Sequence, residues 1–159
     1  MAKKPAGRST GKPRNFRSAG YLIKVLSQLH YRRAQFLLQP FDLTPFHWLV
    51  LRCLSEEDGL PVSEITQRLQ EVGGTMTGVI DRMEERELVS RVRDASDRRI
   101  YRVYLTKKGQ EVERQLRPLA ERSRKRLYKG ISPKNLALFE SLCEQMITNC
   151  QESLQEGES

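Results

Sequence analysis

The stretch from Ser63 to Arg86 constrains the fold of this chain more than any other: SEITQRLQEVGGTMTGVIDRMEER. Its apolar residues have the spacing of two helices, and Gly73-Gly74 between them predicts a tight turn. The second helix is predicted over 75–87. The apolar residues that share one face of it by helical periodicity are Met76, Val79, Ile80 and Met83. The opposite face is small and polar, with Thr75, Thr77, Gly78, Asp81 and Arg82.

That polar face has the chemistry of a surface that reads DNA. Thr75 and Thr77 can each offer a hydroxyl to a base edge or a phosphate, and a methyl group to thymine. Arg82 can bind a phosphate or the edge of a guanine. A solvated face with a capping threonine is the alternative interpretation.

Two runs of alternating apolar and polar residues follow, LVSRVRD and RIYRVYLT, and they predict a β-hairpin over 88–106, here called the wing. A hairpin directly after two crossing helices indicates a winged helix-turn-helix. The wing carries five arginines: Arg91, Arg93, Arg98, Arg99 and Arg102. Asp97 can accept from backbone N–H groups and hold the guanidinium of Arg99 in one orientation. An oriented arginine on a thin hairpin suits a narrow minor groove, and an exposed ion pair without a ligand is the alternative.

Helical spacing predicts two further helices before this region. The first covers Phe16–Gln39 and ends at Pro40, which cannot continue a helix. Thr44 and Pro45 then predict an N-cap and a first helical residue. The helix that follows, FHWLVLRCL, is apolar nearly all round and is therefore expected at the centre of the core. The next segment, EEDGLP, is expected to be a turn.

Two more helices are predicted after the wing. Thr106 is expected to cap a long helix that Pro118 kinks and Gly130 ends. Ser132 and Pro133 predict the start of a last helix. That helix carries an apolar seam formed by Leu136, Phe139, Cys143, Met146, Ile147, Cys150 and Leu154. Such a seam is too apolar to remain in water and predicts contact with another surface.

The charge of the chain favours an anionic partner, and nucleic acid more than a membrane. The formal net charge is +8, and residues 1–17 hold six cations and no acid. Residues 1–15 are expected to form a disordered basic tail, which either aids solubility or lies along phosphates. No apolar run follows these charges as in a signal peptide, and no stretch is apolar enough to span a membrane. We therefore expect a cytoplasmic protein.

No pattern in the chain predicts an enzyme, a metal site or a cofactor. The chain has two histidines, and neither has a cysteine or carboxylate at metal-ligand spacing. No glycine-rich phosphate loop, GxSxG motif or pair of catalytic carboxylates is present. Cys53, Cys143 and Cys150 lie on apolar helical faces without CxxC spacing, which favours reduced thiols over a redox switch.

Taken together, LTPFHWLVLRCLSEEDGLPVSEITQRL and GGTMTGVIDRMEERELVSRVRDASDRRIYRVYLTKKG resemble the MarR family of bacterial transcription regulators. The resemblance covers residues 17–155 and is strongest over 43–109. It implies a mainly α fold with a small β-hairpin wing, a winged helix-turn-helix dimerised by its N- and C-terminal helices. It divides the chain into a tail (1–15), an N-terminal dimerisation helix (16–42), a DNA-binding lobe (43–109) and a C-terminal kinked helix with a dimerisation helix (110–159).

The resemblance also implies a homodimer that binds double-stranded DNA at a pseudo-palindromic operator, more often as a repressor than an activator. The recognition helix would enter the major groove through Gly74, Thr75, Thr77, Gly78 and Arg82. The wing would reach the minor groove through Asp97, Arg98 and Arg99. Many relatives have polar or basic residues where this chain has Gly78 and Val79, which favours greater reliance on DNA shape and phosphates.

Family members often bind small aromatic anions between the dimer helices and the DNA-binding lobe. The residues that could line such a site are His30, Phe36, Phe46, His47, Trp48 and Arg52. Core aromatic residues and a hydrogen-bonded histidine are the alternative interpretation. Two rival functions remain open: a regulator released from DNA by an effector or an oxidant, and a helical module that recruits a protein without DNA specificity.

Overall fold

The structure is a computed structural model that describes residues 18–70 and 75–157, with the backbone alone described at Thr75. Its helices are α1 (Ala19–Leu38), α2 (Pro45–Glu56), α3 (Val62–Arg68), α4 (Thr75–Glu85), α5 (Lys107–Leu127) and α6 (Pro133–Glu156). Its strands are β1 (Leu60–Pro61), β2 (Val89–Arg93) and β3 (Tyr101–Leu105). The predicted class, mainly helical with a small β-wing, is confirmed. The predicted tail, 1–15, lies outside the described residues.

The chain divides inside α5 into two compact units, one ending at Leu116 and the other beginning at Arg117. In the first unit, α2 is central, as its apolar sequence predicts. Four of its apolar residues are at most 8 % exposed: Val50, Leu51, Cys53 and Leu54. The second unit contains the end of α5 and the whole of α6, and α5 runs through Pro118 as one helix.

The sheet contains a strand that the sequence analysis missed. The segment EEDGLP was predicted to be a turn only, but Leu60 and Pro61 pair antiparallel with β3, giving the strand order β1-β3-β2. The Asp58 carboxylate accepts from the backbone N–H of Leu105 at 2.9 Å and fastens the turn to the same strand. Two residues are too few to show a strand period, so only the tertiary pairing defines β1.

The predicted end of α4 at Glu87 was wrong, because the helix stops at Glu85. Glu87 has a left-handed backbone (φ 59°), and its N–H donates to the Glu84 carbonyl at 2.8 Å. The N–H of Leu88 donates to the Met83 carbonyl at 2.8 Å. These bonds close the helix in a Schellman-like turn. A glycine usually signals such a turn, and this one has none.

The predicted helix caps are confirmed at three threonine and serine side chains. Thr44 Oγ1 accepts from the N–H of His47 at 3.3 Å, and Ser132 Oγ accepts from the N–H of Asn135 at 3.2 Å. Thr106 Oγ1 accepts from the N–H of Gly109 at 3.0 Å. Each bond satisfies a donor that the first helical turn leaves without a backbone partner.

His47 completes the cap of α2, and this role was not predicted. Its Nδ1 accepts from the backbone N–H of Thr44 at 3.2 Å, so the two residues form a reciprocal capping box. Burial lowers the pKa of His47 from its ordinary value of 6.5, and the charges of Arg86 and Arg82 lower it further, while Asp42 opposes them. The imidazole is therefore neutral in the folded protein and acts as an acceptor.

We expect the stability of the protein to fall as the pH drops below about 6.5, because the unfolded chain then protonates His47 while the folded chain resists it. Each unit by which folding lowers this pKa costs about 1.4 kcal/mol at low pH. Urea unfolding at pH 8 and pH 5.5 measures the effect. His47→Gln keeps an acceptor at the same capping position and should reduce the pH dependence. Equal pH dependence in both proteins would exclude His47 as its source.

Helices α1 and α6 each expose apolar side chains that a monomer would leave in water. On α1 these are Tyr21, Leu22, Ile23, Leu26, Leu29, Tyr31 and Phe36. On α6 they are Leu138, Phe139, Leu142, Met146, Ile147 and Leu154, so four residues of the predicted seam are among them. No described helix is both long and apolar enough to cross a membrane. Exposed apolar faces of this extent are typical of surfaces that contact another protein chain.

Candidate nucleic-acid interface

Helix α4 separates a buried apolar face from an exposed polar one. The residues of its buried face are at most 3 % exposed: Met76, Val79, Ile80 and Met83. On the other side Thr77 and Arg82 are exposed, and Gly78 is half-buried. Gly74 lies outside the described residues, and Thr75 opens the helix without a described side chain. Thr77, Gly78 and Arg82, three of the residues predicted to contact DNA, therefore lie on one accessible surface of α4.

Arg91 joins the wing to α4, a role that the sequence analysis did not identify. Its guanidinium binds the Asp81 carboxylate and lies 3.4 Å from that of Glu84, and its backbone N–H donates to Glu84 at 3.0 Å. The same guanidinium donates to the Thr77 carbonyl at 3.4 Å. These contacts fix β2 against the helix and counter two acidic groups that would otherwise repel phosphate.

Arg86 anchors the end of α4 to the turn between α1 and α2. Its guanidinium donates to the carbonyl of Phe41 at 3.1 Å and to the carbonyl of Asp42. It also lies 3.4 Å from the Asp42 carboxylate. Arg86 and the turn that it contacts both belong to the first compact unit. Because these bonds hold the C-terminal end of α4 against the turn that follows α1, they help to set the orientation of α4.

Asp94 organises the turn of the wing, and this was also missed. One of its carboxylate oxygens accepts from the backbone N–H groups of Ser96 and Asp97 at 2.7 and 3.0 Å, and the other binds Arg102. The hydrogen bond from Arg102 is the main reason that the pKa of Asp94 falls to about 2. The spacing of Asp94 to Ser96 is that of an Asx turn, so the sequence did contain a local signal.

Asp97 holds Arg99 at the tip of the wing. Nε of Arg99 donates to one carboxylate oxygen at 3.1 Å, and Nη2 donates to the other at 2.9 Å. The backbone N–H of Arg99 adds a third bond at 3.0 Å. The Arg99 side chain is nevertheless 91 % exposed, so its free edge faces solvent. Arg98 is exposed beside it. Asp97 thus holds the guanidinium in one orientation, and the exposed edge of the guanidinium stays accessible to a ligand.

A cleft of about 650 Å³ lies between the start of α3, α4 and the wing. The residues that line it are Pro61, Val62, Ser63, Thr77, Glu84, Arg91, Arg99, Ile100 and Tyr101. It brings Thr77 of α4 and Arg99 of the wing to the walls of one space. The two surfaces that the sequence analysis proposed separately are therefore adjacent.

The structure brings together Trp48 and Arg52 among the residues proposed for an effector site. The Arg52 guanidinium lies 5.9 Å from the centre of the Trp48 ring and also binds Glu56 at 2.8 Å. Phe36 is 80 % exposed, His30 is exposed and Phe46 is half-buried. His47 is occupied by the cap of α2.

The cysteines differ in their surroundings. Cys53 is buried, and burial raises the pKa of its thiol, which keeps it protonated and unreactive. Cys143 is half-buried and Cys150 is exposed, both on α6. Among the described residues, no three His, Cys, Asp or Glu side chains are grouped so that they could hold a metal ion.

Residues 43–101 match the model of the MarR family. A regulator of Bacillus subtilis strain 168, named as the uncharacterised HTH-type transcriptional regulator YsmB, is 24 % identical over 118 residues, which are 74 % of this chain and 81 % of YsmB. The region that matches the family model, 43–101, contains α4 and most of the wing.

Solved structures with the same fold include regulators bound to DNA and to a ligand. The MepR–DNA complex of S. aureus superposes with a TM-score of 0.78 at 22 % identity, over 86 % of this chain and 99 % of that one. PcaV of Streptomyces coelicolor, in complex with its natural ligand, gives a TM-score of 0.75 at 25 % identity, over 87 % and 98 % of the two chains.

Proposed function

This chain is a transcription regulator of the MarR family, and on that premise we propose that it acts by binding a pseudo-palindromic DNA operator as a homodimer, without catalysis. The recognition helix of each protomer is α4, which enters the major groove. The tip of the wing enters the adjacent minor groove. The observation that carries the proposal is the guanidinium of Arg99, oriented by Asp97 yet 91 % exposed.

The electrostatics of the two surfaces support this assignment. The wing carries five arginines against two aspartates, and Asp94 and Asp97 are each engaged by an arginine. On α4, Arg91 occupies the carboxylate of Asp81. Apart from Glu85, which is exposed at the C-terminal end of α4, the acids of α4 and the wing are each engaged by an arginine, which favours contact with a phosphate backbone.

The homodimer is supported by the apolar side chains that α1 and α6 expose. A second copy of the chain would cover the apolar side chains of these helices, and a twofold pair presents two recognition helices to two half-sites. The half-sites of such a dimer repeat after about one turn of DNA, roughly 10 base pairs. A dimer on such a site excludes other proteins from the same DNA, which favours repression. We place this activity in the cytoplasm.

Selection of bound sequences from a random duplex pool tests the proposal directly. We expect an inverted repeat whose half-sites are centred about one helical turn apart. Affinity for the selected duplex should fall steeply with salt, because phosphate contacts release counterions. A pool that yields no enriched sequence, or binding that does not respond to salt, would contradict the proposal and favour a protein-recruiting module.

Control by a small aromatic anion is a second candidate property, favoured by the likeness to PcaV, whose structure holds its natural ligand. In this chain, the pair of Trp48 and Arg52 offers a ring face and a cation on neighbouring turns of α2. An anisotropy titration of the bound duplex with salicylate-like anions, and separately with peroxide, distinguishes effector control from thiol control. Release by peroxide alone would contradict the anion-controlled candidate.

A further inference from the structure

Gly78 lies in the recognition helix at a place where the described residues do not require a glycine. Apart from its two chain neighbours and the adjacent backbone of its own helix, no atom of the described chain lies within 4 Å of the position that a Cβ on Gly78 would occupy. Its backbone is helical without a positive φ, so any L residue could adopt it. In a helix, glycine is about 1 kcal/mol less favourable than alanine. Within the part of the chain that the structure describes, neither packing nor backbone geometry offsets that cost.

Gly109 and Gly59 differ from Gly78, because a Cβ at either position would collide with a neighbouring group. A Cβ on Gly109 would lie 2.0 Å from the Leu88 carbonyl oxygen, and one on Gly59 would meet the ring of Tyr104 at 2.6 Å. Gly59 also has a positive φ of 77°. The fold itself therefore explains these two glycines.

The position of Gly78 on the helix is opposite the core. With about 100° of rotation per residue, it lies on the far side from Met76, Val79, Ile80 and Met83, and Glu85 follows seven residues later on the same line. Glu85 is an exposed acid that would repel phosphate, so the C-terminal end of this line is unsuited to a groove. The part of this line around Gly78, which Thr77 and Arg82 flank on either side of the helix, is the part suited to close approach.

We propose that Gly78 is a specificity-determining residue, at which the floor of the major groove contacts the backbone of the recognition helix. The inference rests on the proposed function and adds the point of closest approach. Without a Cβ, the helix sits deeper between the strands than it could with a side chain there. The exposed side chains of Thr77 and Arg82 then reach base edges from either side of the contact.

Gly78→Ala tests this inference without risk to the fold. We expect the midpoint of thermal unfolding to rise by roughly 2–4 °C, because alanine favours the helix. Affinity for the selected operator should fall at least roughly tenfold, while affinity for unrelated duplex changes less than about twofold. Gly78→Leu, with a larger side chain and good helix propensity, should lose more operator affinity than Gly78→Ala.

Gly20→Ala is the matched control, since Gly20 is an exposed glycine of α1 with equally open space around its Cβ position. It should leave operator affinity unchanged, with the oligomeric state checked by light scattering. Operator affinity of Gly78→Ala equal to that of the parent would overturn the inference. Equal losses on operator and unrelated duplex would overturn it as well, because the contact would then lie on phosphates. If the parent protein selects no operator, the proposed function fails instead.

Discussion

Replacing Arg99 with alanine should lower affinity for the selected operator roughly 10- to 100-fold, equivalent to about 1.4–2.8 kcal/mol. The side chain is 91 % exposed and contacts Asp97, so its loss removes little that stabilises the protein. Asp97 would remain without its partner at the tip of the wing and would repel the phosphates beside the minor groove. Anisotropy titrations at a fixed salt concentration measure the change.

Two variants show whether the effect belongs to this guanidinium. Arg114→Ala removes an exposed arginine of α5 that is paired locally with Glu111, in the same manner as Arg99 with Asp97, and should bind the operator as the parent does. Arg99→Lys keeps the charge but loses the planar fork, and should recover only part of the affinity. If Arg99→Ala binds like the parent while remaining folded, the wing does not contact DNA through this residue.

Gly109→Ala should lower the free energy of unfolding by about 3 kcal/mol, because the new Cβ would lie 2.0 Å from the Leu88 carbonyl oxygen. That carbonyl is fixed, since it accepts from the N–H of Thr106 at 3.2 Å, and Thr106 also caps α5. The backbone at the start of α5 or β2 must therefore move.

Urea unfolding measures this loss. Gly78→Ala is its internal control, because the same substitution there enters open space and should raise the free energy of unfolding by about 0.5–1 kcal/mol. A change of less than about 1 kcal/mol in Gly109→Ala would mean that α5 can shift at its first turn without loss of packing. The first turn of α5 would then move away from the Leu88 carbonyl at a smaller cost in free energy than the 2.0 Å distance indicates.

Local interactions are the part of this protein that its sequence predicted well. Helical periodicity identified the buried face of α4 because residues three and four apart share a side of any helix. Thr44, Thr106 and Ser132 were recognised as caps, because a cap and its partner are at most three residues apart. The pairing of Asp97 with Arg99 is local in the same sense. His47 was missed because glutamate or glutamine usually occupies that capping position.

The family resemblance, confirmed by the match over 43–101, extended these local predictions to a fold and a function. Residue roles at the DNA surface stay predictions. The described residues bring Thr77 and Arg99 to one cleft and leave the proposed effector residues in different surroundings, with His47 in a cap and Phe36 on the surface.

Sequence alone therefore determined where most of the helices and the wing lie, which face α4 buries and which family the chain resembles. The first helix begins at Ala19, with Ser18 as its cap, and not at the predicted Phe16. Only the tertiary structure decided that Arg91 binds Asp81 and that Arg86 binds the turn after α1. It also decided that the short strand beginning at Leu60 pairs with β3 as the third strand of the sheet. It also separated Gly109, required by a neighbouring carbonyl, from Gly78, which the described chain does not require. The physical reason is that contacts between distant segments have no fixed spacing along a chain, whereas caps, turns and helical faces do.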